Sequence, residues 1–110
     1  ILGDGKQSKS YIYIDDLISA LLIVAKSPKS SGEIYNCGSG RVHKFKEMAK
    51  YIVKTAKSGR IKQKPWPNGY PNIQNDSYGL DISKLRKLGW KPQTTIMEGI
   101  RKTFNFYNED

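Results

Sequence analysis

Residues 3–17 read Gly-Asp-Gly-Lys-Gln-Ser-Lys-Ser-Tyr-Ile-Tyr-Ile-Asp-Asp-Leu, and the chemistry of the chain concentrates there. A polar glycine turn leads into a short aromatic and aliphatic run, and two aspartates then open a very apolar helix. This order sets Lys9 and the turn backbone at a mouth where an anion can sit, with a rigid helix behind it. Asp15 and Asp16 have the composition of an acid/base carboxylate pair. Adjacent side chains at a helix start do not converge on one substrate atom, however, so capping of the helix N–H groups is the expected role. His43 is the only histidine and has no second ligand at metal-binding spacing, so no metal site is expected. Cys37 is the only cysteine; its neighbours suit a small buried hydrophobe better than a nucleophile. Arg41, after Gly38-Ser39-Gly40, is read as a solvated arginine able to face an anion. No residue is assigned a catalytic role.

The elements that position these groups follow from period and punctuation. Tyr11–Ile14 is a short strand candidate. Leu17–Ala25 forms the body of a helix running to about Lys26 that is apolar nearly all round, which predicts cover on more than one side. Ser27-Pro28 with Ser30-Ser31-Gly32 ends it. Glu33–Cys37 reads as a second strand. Phe45, Met48, Ala49, Ile52, Val53 and Ala56 recur at helical spacing and predict an amphipathic helix over Phe45–Lys57, with Gly59 as its stop. Ile61–Lys64 is a third strand candidate, and residues 65–80 form an irregular aromatic loop. Asp81 is expected to cap a short helix to Leu88, and Thr94 or Thr95 to start a last one over Ile96–Asn108.

With 110 residues, 37% of them hydrophobic and 26% charged, the chain suits one modest globular domain, 1–110. A single cysteine rules out an internal disulfide and points to a reducing cytoplasm. The longest apolar stretch, Ala20–Ala25, is far below the roughly 18 residues of a membrane span, so no membrane partner is expected. The start at Ile1 suggests a fragment of a longer chain. The net charge of +9 is uneven: residues 41–64 hold nine Lys/Arg and a single acid, Glu47, whereas residues 1–40 balance to zero. The Lys46, Lys50, Lys54 and Lys57 stripe therefore supports an alternative function, a basic nucleic-acid or protein-interaction module. A lysine-rich solvated face is the ordinary outcome for an amphipathic helix, and no nucleic-acid motif accompanies the stripe, so specific nucleic-acid binding is not expected.

Taken in order, six blocks carry a resemblance: Gly3–Gln7, Tyr11–Asp16, Gly32–Gly40, Asp81–Lys84, Leu88–Pro92 and Gly99–Thr103. Together they resemble the C-terminal part of a nucleotide-sugar epimerase/dehydratase of the extended short-chain dehydrogenase/reductase superfamily. The resemblance covers essentially the whole chain. It implies a mixed α/β fold class: a small substrate-binding lobe with three to four helices and a few short strands, lacking the Rossmann domain. It implies an NAD- or NADP-dependent parent (UDP-sugar 4-epimerase-like, an isomerase, is one example), with no cofactor bound by this part and no catalysis from it. The family's Gly-x-x-Gly-x-x-Gly turn and Tyr-x-x-x-Lys pair are absent from the sequence. Implied partners are a nucleotide-sugar substrate and the parent's Rossmann domain, in some 180–200 preceding residues, with self-association through Leu17–Ala25 where that surface is uncovered.

By the same resemblance, the substrate-binding residues are Lys9, Tyr78 and Gln7. Lys9 stands where the family has the arginine that grips the diphosphate; an exposed turn lysine is the plain alternative. Ser10 replaces the family's common aspartate. Tyr78, three residues before Asp81, matches a substrate-contacting tyrosine, with a packed loop aromatic as its alternative. Gln7 is able to contact ligand or to serve only the turn. The arginine many relatives carry seven residues before that tyrosine is replaced by Pro71.

Overall fold

The computed structural model describes residues 1–69 and 77–108. The polypeptide enters through a glycine turn in which Gly3 and Gly5 adopt positive φ, then forms strand β1, Ser8–Ser10. Helix α1 spans Ile14–Lys26 and is followed by a 3-10 turn, Pro28–Ser30. Strand β2, Val42–Lys44, runs directly into helix α2, Phe45–Ala56. Helix α3 is one turn, Ser83–Arg86, and helix α4 is Ile96–Phe106. The two strands pair antiparallel, with Ser8 opposite Lys44, Lys9 opposite His43 and Ser10 opposite Val42. Among the described residues this is a mixed α/β arrangement of four helices and a two-stranded sheet, where three to four helices and a few short strands were expected.

Several boundaries differ from expectation. β1 lies ahead of Tyr11–Ile14, because the partner that completes its ladder, Val42–Lys44, pairs with 8–10. Glu33–Cys37 is not a strand: no described segment forms a ladder with it. Of Ile61–Lys64, only Lys64 makes a bridge, parallel to Leu2. Helix α2 stops before Gly59, since Lys57 itself takes the left-handed conformation at φ 51°. Thr95 does begin α4, its hydroxyl accepting from the Glu98 N–H at 3.3 Å. The loop expected over 65–80 is described only at 65–69 and 77–80; Tyr70 and Pro71 lie outside the described residues.

The buried core is small. Ala20 of α1 meets Ile82, Leu85 and Trp90, with Ile12, Ile23, Val24, Tyr35, Cys37 and Leu88 packed around them. Gly99 lets α4 close on the chain before α1: a Cβ there would sit 3.3 Å from Tyr13 Cδ2. Helices α2 and α4 pack together and leave an apolar groove of about 370 Å³ between them. The lobe measures 48 × 40 × 19 Å, with a radius of gyration of 16.7 Å. A compact chain of this length would have about 13 Å. This flat slab buries only one side of α1. Ile14, Ile18, Leu21 and Leu22, spaced i, i+4, i+7 and i+8, are 48–60% exposed and make a continuous outer stripe.

Candidate functional site

The expected substrate residues converge at β1. The Tyr78 N–H donates to the Ser8 carbonyl at 3.3 Å, and the Ser8 N–H donates to Ser77 Oγ at 3.1 Å. These bonds lay residues 77–78 along the edge of β1 opposite β2. The Lys9 ammonium then sits 4.0 Å from the centroid of the Tyr78 ring, a cation–π contact joining residues 69 positions apart. Tyr78 stays 54% exposed, so one side of this pair is open to solvent. The packed-aromatic alternative for Tyr78 does not describe it. Tyr11 lies nearby. Burial pushes its phenol above the ordinary tyrosine value; the Lys9 charge pulls it back and Tyr78 adds a small upward push.

Gln7 directly precedes the same strand. Its carbonyl accepts the Phe45 N–H at 2.9 Å, and Gly5 accepts from Lys46 at 3.0 Å, so the glycine turn is stitched to the first turn of α2. The backbone of Gln7 thus fixes where β1 begins and how Lys9 is aimed. Ser10 points the other way: its hydroxyl is buried without a hydrogen-bond partner, where a Cβ on Gly38 would lie only 2.7 Å from it.

The two aspartates part company, and the expected capping role fails for both. The N-cap of α1 is Tyr13, with no side-chain cap bond. Asp15 is exposed in the first turn, whereas Asp16 is 4% exposed. Its carboxylate accepts from the Gln93 N–H at 3.1 Å and the Thr94 N–H at 2.9 Å. The Trp90 indole N–H donates to the Asp16 carbonyl at 3.2 Å and to Ser19 Oγ at 2.8 Å. Asp16 is therefore a buried brace between α1 and the approach to α4. Nothing in the local sequence signals it, since the partners lie more than 70 residues away. Cys37 is packed beside the core; burial first, then the Asp16 charge, raises its thiol above the usual range, which suits an inert thiol.

Asp81 is not the N-cap expected, since Ile82 holds that position and α3 ends at Arg86 rather than Leu88; its carboxylate instead accepts the Ser83 N–H at 2.8 Å from one residue earlier. This bond, with the Ser83 hydroxyl, lowers its carboxyl below the ordinary aspartate value. A cavity of about 570 Å³ lies away from Lys9. Ser39, Arg41, His43, Arg86 and residues 89–96 line it, and Arg86 and Lys91 had no signal in the sequence reading.

A dinucleotide cofactor does not fit the residues described. The sheet is two antiparallel strands of three residues, and no parallel strand feeds through a glycine turn into a helix N-terminus. Among the described residues no three His, Cys, Asp or Glu side chains gather as a metal site, and no helix is long and apolar enough to cross a membrane.

Comparison with known proteins extends this geometry. The sequence profile of the GDP-mannose 4,6 dehydratase family matches residues 1–103. The human dTDP-D-glucose 4,6-dehydratase is 33% identical over 115 residues, covering 100% of this chain and 32% of the human protein. The crystal structure of a Thermotoga maritima UDP-glucose 4-epimerase with UDP-glucose superposes with a TM-score of 0.84 at 26% identity, over 99% of this chain and 34% of that one. A Pseudomonas aeruginosa protein solved with NADPH gives 0.76 at 25% identity, over 98% of this chain and 34% of that one. The chain spans 16–33% of the length of the curated relatives it matches. The match over 103 residues shows that this chain belongs to the GDP-mannose 4,6 dehydratase family, within the nucleotide-sugar epimerases and dehydratases of the extended short-chain dehydrogenase/reductases.

Proposed function

We propose that the chain is the nucleotide-sugar-binding C-terminal lobe, residues 1–110, of an NAD(P)-dependent epimerase or dehydratase. Lys9, Tyr78 and Gln7 form part of the diphosphate and sugar site, and the hydride chemistry belongs to a cofactor domain outside this chain. The observation that carries this reading is the Lys9–Tyr78 pair at 4.0 Å. The two side chains that the family motifs nominate meet there on one open face. The ring holds the ammonium oriented without neutralising it, so it can still meet a phosphate. Lysine presents a point charge rather than a guanidinium fork, so the grip on a diphosphate is less directional than an arginine's.

The outer stripe of α1 supports the two-domain reading. Four exposed apolar side chains on one face form the kind of patch that marks an interaction surface. The cofactor domain is its proposed partner, and a second copy of the chain occupies it when that domain is missing. By the same reading the protein works in the cytoplasm.

Calorimetry with UDP-, GDP- and dTDP-sugars tests the proposal. Half a site is expected to bind at best at millimolar level, about −4 kcal/mol, and without turnover. Fusion to a family cofactor domain is expected to tighten binding, and Lys9→Met then weakens it by about tenfold. Micromolar binding by the 110-residue chain alone, or no effect of Lys9→Met in the fusion, overturns the reading. The competing basic-module reading predicts instead a steep salt dependence of nucleic-acid binding through the exposed Lys46, Lys50, Lys54 and Lys57.

A further inference from the structure

The 570 Å³ cleft has the size of a small-molecule site and an unusual charge balance. Arg41, Arg86 and Lys91 all line it, beside His43, Ser39 and Thr94, and among the described residues no carboxylate does. Ion pairs among the described residues join Lys6 to Asp4, Lys84 to Glu33 and Lys102 to Glu98; the three cations of the cleft belong to none of them. Like charges facing one partly enclosed space repel, and an anion bound between them relieves that repulsion.

The guanidinium of Arg86 is placed by the glycine turn. Gly40 has φ +70°, and a Cβ there would lie 3.0 Å from Ile82 Cδ1 and 3.5 Å from Arg86 Nη2. The buried Trp90 is part of the wall, anchored by its bonds to Asp16 and Ser19, so one wall of the cleft belongs to the core.

We propose that this cleft binds a phosphorylated small molecule, a diphosphate in charge and reach, at a site separate from the Lys9–Tyr78 pair. The ladder sets the two sites side by side, because directly opposed residues share one face of the sheet. Lys9 and His43 are directly opposed, but Lys9 leans over Tyr78 on the far edge of β1, while His43 on β2 opens into the cleft. Two guanidiniums offer the bidentate geometry that Lys9 lacks.

His43 is the only histidine in the sequence, so its ring resonances are assigned without ambiguity; Lys9 is its cross-strand neighbour, and Lys9→Met separates an anion in the cleft from one held at Lys9. The test is an NMR titration of the 110-residue chain with inorganic pyrophosphate at fixed pH and ionic strength, with the Trp90 indole N–H resonance as the check on folding. A saturable shift of the His43 ring is expected. Arg41→Gln and Arg86→Gln, both at exposed positions, each weaken it at least about tenfold, and Lys9→Met leaves it unchanged. A shift that does not saturate, or that chloride reproduces at equal ionic strength, overturns the proposal. So does an unchanged affinity in either arginine variant. Loss of the shift in Lys9→Met overturns the second site while leaving the Lys9–Tyr78 reading intact.

Discussion

Replacing Asp16 tests how the lobe is held together. The carboxylate is 4% exposed and takes two backbone N–H groups, from Gln93 at 3.1 Å and Thr94 at 2.9 Å. A hydrogen bond to a charged group contributes about 1.5–3 kcal/mol net. Gln93 is exposed and Thr94 half-buried, so water can partly replace the lost acceptor. The lower end of that range applies, and Asp16→Ala is expected to cost about 3–4 kcal/mol in all. A domain of this length has roughly 5–15 kcal/mol of stability. With Ala20, Ile82, Leu85 and Trp90 the only buried apolar side chains among the described residues, this lobe belongs near the bottom of that range. The substitution therefore removes well over half of its stability. Asp16→Asn keeps the shape but turns an amide NH2 towards one of the two donors, so it should lose nearly as much as Asp16→Ala. Asp15→Asn, one residue away and exposed, loses only the helix-dipole contribution of about 0.3–1 kcal/mol. Urea unfolding followed by tryptophan fluorescence measures all three. A cost for Asp16→Asn below about 0.5 kcal/mol, or equal to that of Asp15→Asn, would show that the brace is geometry without energy.

Two further outcomes follow from local geometry. Lys57→Gly is expected to stabilise the chain by about 0.5–1 kcal/mol in the same urea assay, because lysine at φ 51° costs about 1–2 kcal/mol and glycine's greater unfolded freedom returns part of that. The Glu33 carboxyl is held below the ordinary glutamate value by its hydrogen bond and charge contact with Lys84. Its folded-state value is depressed, so its small contribution is present above the ordinary glutamate pKa and is lost as the pH falls through the folded one. In an NMR carboxyl titration, Lys84→Met should return Glu33 to the ordinary value of 4.5.

How much of this was legible in the sequence depends on how far each feature's partner lies along the chain. Helices α2 and α4 were readable because their apolar residues repeat within the element itself, and Thr95 because a cap acts three residues on. Glu33–Cys37 has strand composition, yet a strand is completed by its neighbour, and no described segment offers one. Asp16 was misread as a cap because position two or three of a helix start looks the same whether the carboxylate turns inward to its own N–H groups or outward to residues 93 and 94. Lys57 was passed over because Gly59 is the better left-handed residue, and the helix ended two residues sooner. The Lys9–Tyr78 pair came from the family motifs, not from any local pattern, and the cleft of Arg41, His43 and Arg86 could not be foreseen, since two segments far apart in the chain build it.

The slab shape connects these observations. A lobe 19 Å thick holds little more than one helix diameter above its sheet, so α1 has an inner face for Trp90 and Leu85 and no second layer for Ile14, Ile18, Leu21 and Leu22. The brace at Asp16 compensates for that thin core with polar bonds, which is why charge-assisted hydrogen bonding carries an unusual share of the stability. The same thinness keeps the Lys9–Tyr78 pair and the cationic cleft near solvent. A thicker core would bury one of them, and burying an unpaired ammonium or guanidinium is far too costly to sustain.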